Sequence, residues 1–381
     1  MSPGHAPFEQ PGSRTTRSRS ERDFGLDALR ALAILSVLLL HASRIGPPGV
    51  PSRLAPVLEC GWAGVDLFFV LSGFLIGGQL FAAFASRAQR LLWPFWVRRW
   101  TRTVPLYLVA LFVYAVVKPV VFKHAFFGGF RWTYFFFLQN VFELTDFGQS
   151  WSLCVEEQFY FVFPLFFIGL ASVRPRALAW TWIWLTPMAI SVMARASHLH
   201  YLSTHGIRGW DAYLYVERYV RCNTATHLDG LAVGLFLAAN REVWTRWTRR
   251  RRIGVSLAGG AVVIGALALE PMTPTDSAIL WLYPALAVGF GAALIGCYGA
   301  RAPRLGEALI RRMALWSYGA YVWNNLLARE FQLRWRGSWT IGMLAFVLGT
   351  FAVAWITYVC VEVPGMRLRR QVLPVSAEAR A

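Results

Sequence analysis

Lysine is nearly absent from this chain: Lys118 and Lys123 stand alone, and arginine supplies the rest of the 38 basic residues. Acid is scarce too, with 20 Asp and Glu leaving a formal charge of +18. Charged residues make up 15% of the chain and hydrophobic ones 56%, against roughly 25% charged in ordinary soluble domains. That balance excludes a soluble enzyme of this length. The five cysteines form no C-x-x-C pair, and no histidine lies at metal-ligand spacing, so neither a metal nor a disulfide framework is expected. Also missing are the G-x-S-x-G elbow, the P-loop and a dinucleotide fingerprint; "GGAVVIG" (259–265) reads instead as small-residue helix packing. The first apolar segment lacks a small-residue cleavage site and is expected to stay as an anchor.

What the chain does have is long apolar segments. A bilayer core takes about 20 mostly apolar residues per helix. Ten segments approach that pattern: 25–43, 62–85, 104–122, 152–172, 178–196, 225–240, 253–270, 278–299, 314–331 and 340–361. The expected fold is all-α, a polytopic membrane protein with about ten transmembrane helices around an internal cavity. "RWTYFFFLQNVF" (131–142) is too short to span and reads as a re-entrant or interfacial piece of an outer loop.

A charge of +18 also suits a nucleic-acid binder, so its distribution has to decide. With the N-terminus in the cytosol, the inner segments collect Arg14, Arg17, Arg87, Arg90, Arg174, Arg246, "RRRR" (249–252), Arg311 and Arg367, while the outer "EPMTPTDS" (270–277) is net acidic. Scattered over many short loops, these arginines are an orientation signal rather than one binding face. No nucleic-acid partner is expected. Both termini are placed in the cytosol and the chain in the plasma (inner) membrane. Residues 1–23, basic and rich in Pro, Gly and Ser, read as a disordered tail, 24–365 as the membrane domain and 366–381 as a second short tail.

Charges inside the spans carry the functional reading. In "LDALRALAILSVLLLHASR" (26–44), the step from Arg30 to His41 returns to within about 20° of one helix face and climbs about 16 Å. Arg30 then sits near the cytosolic headgroups and His41 in the outer half, pointing into the bundle. The plainer reading of His41 is a packed histidine bonded to a neighbouring helix. Asp66, at the outer entrance of the second span, can orient an imidazole or simply favour a helix N-terminus. Glu156 and Glu157 lie in an otherwise apolar span; pointing about 100° apart, only one is expected to share a cavity. His227 and Asp229 open the sixth span on the same outer side. On the cytosolic side, "VRRWTRTVPLY" (97–107) puts Arg98, Arg99 and Arg102 where guanidinium forks can grip phosphate, with Pro105 expected to limit or kink the next turn. Plain positive-inside charge is the alternative.

The series "GLDALRALAILSVLLLH", "GWAGVDLFFVLSGFLIGG", "RRWTRTVPLY", "WSLCVEEQFYFVFPL" and "HLDGLAVGLFLA" resembles the acyltransferase 3 family of membrane acyltransferases over about residues 24–365. The resemblance implies a roughly ten-helix enzyme that moves an acyl group, most often acetyl, from cytosolic acyl-coenzyme A to a hydroxyl of a carbohydrate, glycolipid or glycosylated metabolite. It implies a catalytic role for His41, donor binding by Arg99 and Arg102, and signature acids at Asp66, Glu156 and Glu157. One departure stands out: in "YVWNN", Asn324 occupies the position of a family histidine, and an amide cannot titrate near neutral pH.

The residue chemistry leads the same way. An alcohol is a poor nucleophile, so acyl transfer to a hydroxyl calls for a base with pKa near 7, which suits histidine. Arg98, Arg99 and Arg102, with Arg30, would hold the donor's phosphates while its arm threads the bundle towards His41. Asp66 or one of the glutamates would hold the imidazole's second nitrogen, and a transient acyl-histidine is a second route. A transporter of a glycolipid or anionic metabolite, using the same charges as a path, is the rival reading.

Overall fold

A computed structural model of the protein describes residues 23–45, 50–85, 92–117, 132–142, 147–173, 181–269, 277–303 and 305–373. Among them there is no strand, and eleven helices of ten residues or more carry the fold: α1 (Phe24–Ala42), α2 (Gly64–Ala85), α3 (Leu92–Phe112), α4 (Trp151–Val173), α5 (Thr186–Thr204), α6 (Asp229–Ala239), α7 (Arg249–Ala268), α8 (Ile279–Cys297), α9 (Glu307–Arg334), α10 (Trp339–Thr357) and α11 (Val363–Val372). The N-terminal tail (1–22), most of the acidic 270–277 loop and the end of the C-terminal tail lie outside the described residues.

Among the described residues, six helical stretches are long and apolar enough to cross a membrane: Phe24–Ala42, Ala55–Ala82, Gly148–Leu170, Arg249–Ala268, Ile279–Cys297 and Trp339–Arg369. The described parts of the other four expected spans are helical as well, in α3, α5, α6 and α9, but α6 is short and the rest carry arginine or other polar residues; 118–122 and 178–180 lie outside the described residues. Outward faces are apolar, as at Leu257, Ile264 and Leu348, as lipid contact requires. This is the architecture of a multi-pass membrane protein. The 132–142 segment does not span: it is two short helical turns that bury Tyr134, Gln139 and Asn140 while Trp132 and Phe136 stay exposed.

Local chemistry fixes the helix ends. Asp23 caps α1, accepting from Leu26 N at 3.2 Å through Oδ1 and from Gly299 N at 2.8 Å through Oδ2, which ties the start of α1 to the end of α8. Pro105, expected to limit or kink its turn, lies inside α3, which continues to Phe112 and relaxes into a π-helical turn, Val113–Val117. The carbonyl that Pro105 cannot bond is that of Thr101, and there α11 comes in close: a Cβ on Gly365 would lie 2.6 Å from Thr101 O. α11 itself extends into the expected tail, since helix runs to Val372.

The most intimate packing joins α2 to α6. A Cβ on Gly73 would stand 2.2 Å from Leu231 O, one on Gly234 2.3 Å from Val70 O, and one on Gly77 2.9 Å from the Ala238 Cβ. Backbone touches backbone because these positions carry no side chain. The contacting positions rise together along both chains, so the two helices run parallel. Of the glycines in 259–265, Gly259 behaves as expected, packed against Gly289 and Ala292, while Gly260 and Gly265 face open space.

These contacts generate the first prediction. Gly234→Leu should cost at least 1–3 kcal/mol through overpacking, read as a lower melting temperature in detergent. Gly78→Ala, with nothing within 4 Å of its added methyl, should stay within about 0.5 kcal/mol of the parent.

Candidate active site

Two cavities sit at different levels of the same helices. The first, of about 110 Å³, takes Arg30 from α1, Ser72 from α2, Arg99 and Arg102 from α3, and Glu156 and Glu157 from α4. Arg99 and Arg102 are three residues apart and share a helix face; Arg98 is half-buried but is not part of the cavity wall. This arginine cavity is a polar enclave in an apolar bundle, and its carboxylates are held by hydroxyls. Glu156 accepts from Ser72 Oγ at 2.7 Å and from Tyr160 Oη at 2.9 Å, and Glu157 accepts from Thr103 Oγ1 at 2.8 Å. The Arg99 guanidinium lies 4.7 Å above the Tyr160 ring. Both glutamates line the cavity, correcting the expectation that only one would. α4 is wedged between α2 and α3, so hydroxyls on both neighbours reach the adjacent acids from two sides.

The second cavity, of about 330 Å³, holds His41 from α1, Asp66 from α2, His227 from the turn before α6, and Asn324 from α9. Here the structure corrects a pairing. Asp66 Oδ1 lies 3.0 Å from His227 Nε2, with both side chains buried, so the acid orients His227 and not His41. Neither glutamate reaches His41 either, and its imidazole has no hydrogen-bond partner among the described residues. The pairing follows from the α2–α6 contact: Asp66 precedes Gly73, and His227 precedes Gly234, by the same seven residues, about two helical turns.

His227 is locked in place from behind. Arg195 of α5 donates through Nη1 to Asp229 Oδ2 at 2.7 Å and through Nη2 to Oδ1 at 2.9 Å, and Nη1 also reaches Thr226 O at 2.6 Å. Both partners of this bidentate pair are fully buried. Ser191 Oγ accepts from Leu228 N at 2.9 Å. Sequence reasoning had named His227 and Asp229 without giving them a site role, and it had passed over Arg195, although an arginine inside an apolar span is itself a signal.

Val65 and Tyr321 line both cavities. Tyr321 Oη is 2.5 Å from Ser152 Oγ and donates to Gln149 O at 3.1 Å, which places this ring in the wall that the two cavities share. The arrangement places Arg30, Arg99, Arg102, Glu156 and Glu157 on one side of this wall and two imidazoles, with Asp66, Glu217 and Arg221, on the other. Among the described residues, no group of three or more His, Cys, Asp or Glu is placed to hold a metal. All five cysteines are free, and burial pushes the Cys222 thiol beside the histidine cavity up to about 12, too high for a thiolate nucleophile near neutral pH.

Comparison with known proteins now has a geometry to attach to. An acyltransferase domain family model matches residues 23–360. The peptidoglycan O-acetyltransferase OatA of Listeria monocytogenes is 33% identical over 172 residues, 41% of this chain and 26% of that protein. The O-acetyltransferase OatA of Staphylococcus aureus is 28% identical over 258 residues, 63% of this chain and 38% of that protein. A putative peptidoglycan O-acetyltransferase, YrhL of Bacillus subtilis, is 33% identical over 172 residues, 40% and 25% of the respective chains. The chain thus spans between 25% and 38% of the length of these relatives. No solved structure matches it.

The buried Arg195–Asp229 pair gives a prediction about stability. Arg195→Leu leaves Asp229 charged and unpaired and should cost about 3–5 kcal/mol, whereas the double change Arg195→Leu with Asp229→Leu should recover most of that loss. Melting temperatures of the two variants in detergent check this; equal losses would show that the pair is not what holds the His227 turn.

Proposed function

The chain belongs to the acyltransferase 3 family, and from that premise we propose that it is an integral membrane O-acyltransferase moving an acyl group, most simply acetyl, from cytosolic acyl-coenzyme A to a hydroxyl of a carbohydrate or glycoside. The observation that carries the reading is the two-sided site: guanidinium groups converge on one cavity, histidines on the other, and a single partition lies between.

Arg30, Arg99 and Arg102 supply fixed forks for the donor's phosphates, which cannot enter hydrocarbon unpaired. A space of about 110 Å³ suits the donor's narrow acyl-bearing arm and not its nucleotide. The nucleotide therefore stays towards the cytosol. Glu156 and Glu157, bonded to Ser72, Tyr160 and Thr103, hold the arginines' side of the cavity in shape.

His41 is the base. Among the described residues its ring has no hydrogen-bond partner, so a nitrogen is available to an incoming hydroxyl. In the transfer, the acceptor oxygen bonds to the thioester carbonyl carbon as its proton passes to His41. The carbon–sulfur bond then breaks, and the leaving thiolate takes a proton. Relatives whose names specify peptidoglycan support a carbohydrate acceptor, as does a cavity wall that mixes Trp62 and Trp151 with amide side chains. We further propose ten passes, adding segments 104–122, 178–196, 225–240 and 314–331 to the six apolar stretches, with both termini cytosolic in the plasma membrane and 24–365 as one domain. The parallel α2 and α6 support that topology, which has an odd number of passes between them.

Purified protein in vesicles, given labelled acetyl-coenzyme A and a glycoside, should consume the thioester and label the sugar. Flux of the glycoside across the vesicle wall without thioester consumption would favour a transporter and overturn the reading. His41→Ala should lower kcat by about 10²–10⁴-fold, and Arg102→Ala should chiefly raise the KM for the donor; a His41→Ala protein with full turnover would remove the base.

A further inference from the structure

Beyond the reacting histidine, the histidine cavity is lined by two side chains that each hold a buried acceptor atom with no hydrogen-bond partner among the described residues: His227 Nδ1 and Asn324 Oδ1. Tyr283 Oη is a further buried atom without one on the same wall, which also carries the Arg221 guanidinium. The two acceptors belong to side chains that are essentially inaccessible, at 2% and 0% exposure, and both residues line the cavity.

Their neighbours fix what each atom can do. A carboxylate only accepts, so the 3.0 Å contact with Asp66 requires His227 Nε2 to carry the ring hydrogen, leaving Nδ1 a bare acceptor. The ring is packed among Phe69, Trp151 and Tyr283, with centroids 5.5, 5.1 and 4.3 Å away, and they leave Nδ1 without a donor. Asn324 donates through Nδ2 to Tyr321 O at 2.5 Å, which sets the amide's orientation and turns Oδ1 into a second bare acceptor. Leaving a buried acceptor unmet is costly, and the protein does it twice around one space. A ligand seated against both acceptors must therefore bring a donor to each, as a hydroxyl does.

We propose that His227 and Asn324 are specificity-determining residues for the acceptor, each accepting a hydrogen bond from a different hydroxyl that is not itself acylated. The proposal rests on the reading of this cavity as the acceptor's. His41 takes the reacting proton, while His227, oriented by Asp66, and Asn324 set which face and which hydroxyl of the sugar is presented. Asp66 is then a positioning residue that acts through His227. Asn324 fits this role better than a titrating residue would, because an amide oxygen accepts at every pH of interest.

The test uses the full chain reconstituted with acetyl-coenzyme A, and methyl β-D-glucopyranoside with its four monodeoxy analogues as acceptors. For the parent protein, the analogue lacking the reacting hydroxyl should not be acylated, and two of the others should lose about tenfold in kcat/KM, the factor that corresponds to one hydrogen bond of about 1.4 kcal/mol. His227→Gln, which can still bond Asp66, should abolish one of those two penalties, and Asn324→Leu the other; Asn324→Ala serves if leucine does not pack. Protection of each variant against thermal unfolding by coenzyme A reports that the fold and donor site are retained. A purely structural role would lower all acceptors alike, so deoxy penalties that stay the same in parent and variants overturn the proposal. If no glycoside is acylated although coenzyme A protects the parent, the acceptor reading of the cavity falls, and this inference with it.

Discussion

Gly73 and Gly234 let the backbones of α2 and α6 touch, and the histidine cavity depends on that contact. Two turns before it on either helix stand Asp66 and His227. With the axes this close and parallel, acid and imidazole meet at 3.0 Å without extended side chains reaching across a gap. In an apolar bundle an unmatched carboxylate would be expelled or neutralised, so the helix pair and the Asp66–His227 hydrogen bond stabilise each other. Arg195 and Asp229 repeat the same solution a few residues on, which keeps the turn before α6 from drifting.

Polar groups in this molecule are otherwise organised by which helix can reach them. The arginines of α3 and Arg30 of α1 gather where α4 brings its two acids, and hydroxyls from Ser72, Thr103 and Tyr160 spread the negative charge over three neighbouring helices. Such a cluster is stiff. An anion entering it would meet a preorganised surface, so little ordering would have to occur as it bound.

Much of this was legible in the sequence, for stated reasons. Helical periodicity put Arg30 and His41 on one stripe, and the structure places them in separate cavities at the two ends of it. Arg99, Arg102, Glu156 and Glu157 announced themselves as charges where charge is expensive. What could not be read was long-range pairing: Asp66 is 161 residues from His227, and nothing local says which imidazole it meets. Local geometry also misled at Glu156 and Glu157, because a 100° offset separates them on an isolated helix but not on one flanked from both sides. Pro105 is expected to limit or kink its turn; the helix runs through it, with α11 packed at Gly365 against the Thr101 carbonyl that the proline cannot bond. Among the described residues six helices meet the simple criterion of length and apolarity; α6 is too short for it, and the arginines of α3, α5 and α9 dilute the hydropathy of those helices.

The partition of Val65 and Tyr321 also bears on the cell's energetics. A pore running straight from one side of a membrane to the other would let protons and ions leak down their gradients. A valine and a hydrogen-bonded tyrosine in the wall that the two cavities share interrupt such a path, so this bundle buries many polar groups without lining one continuous pore with them.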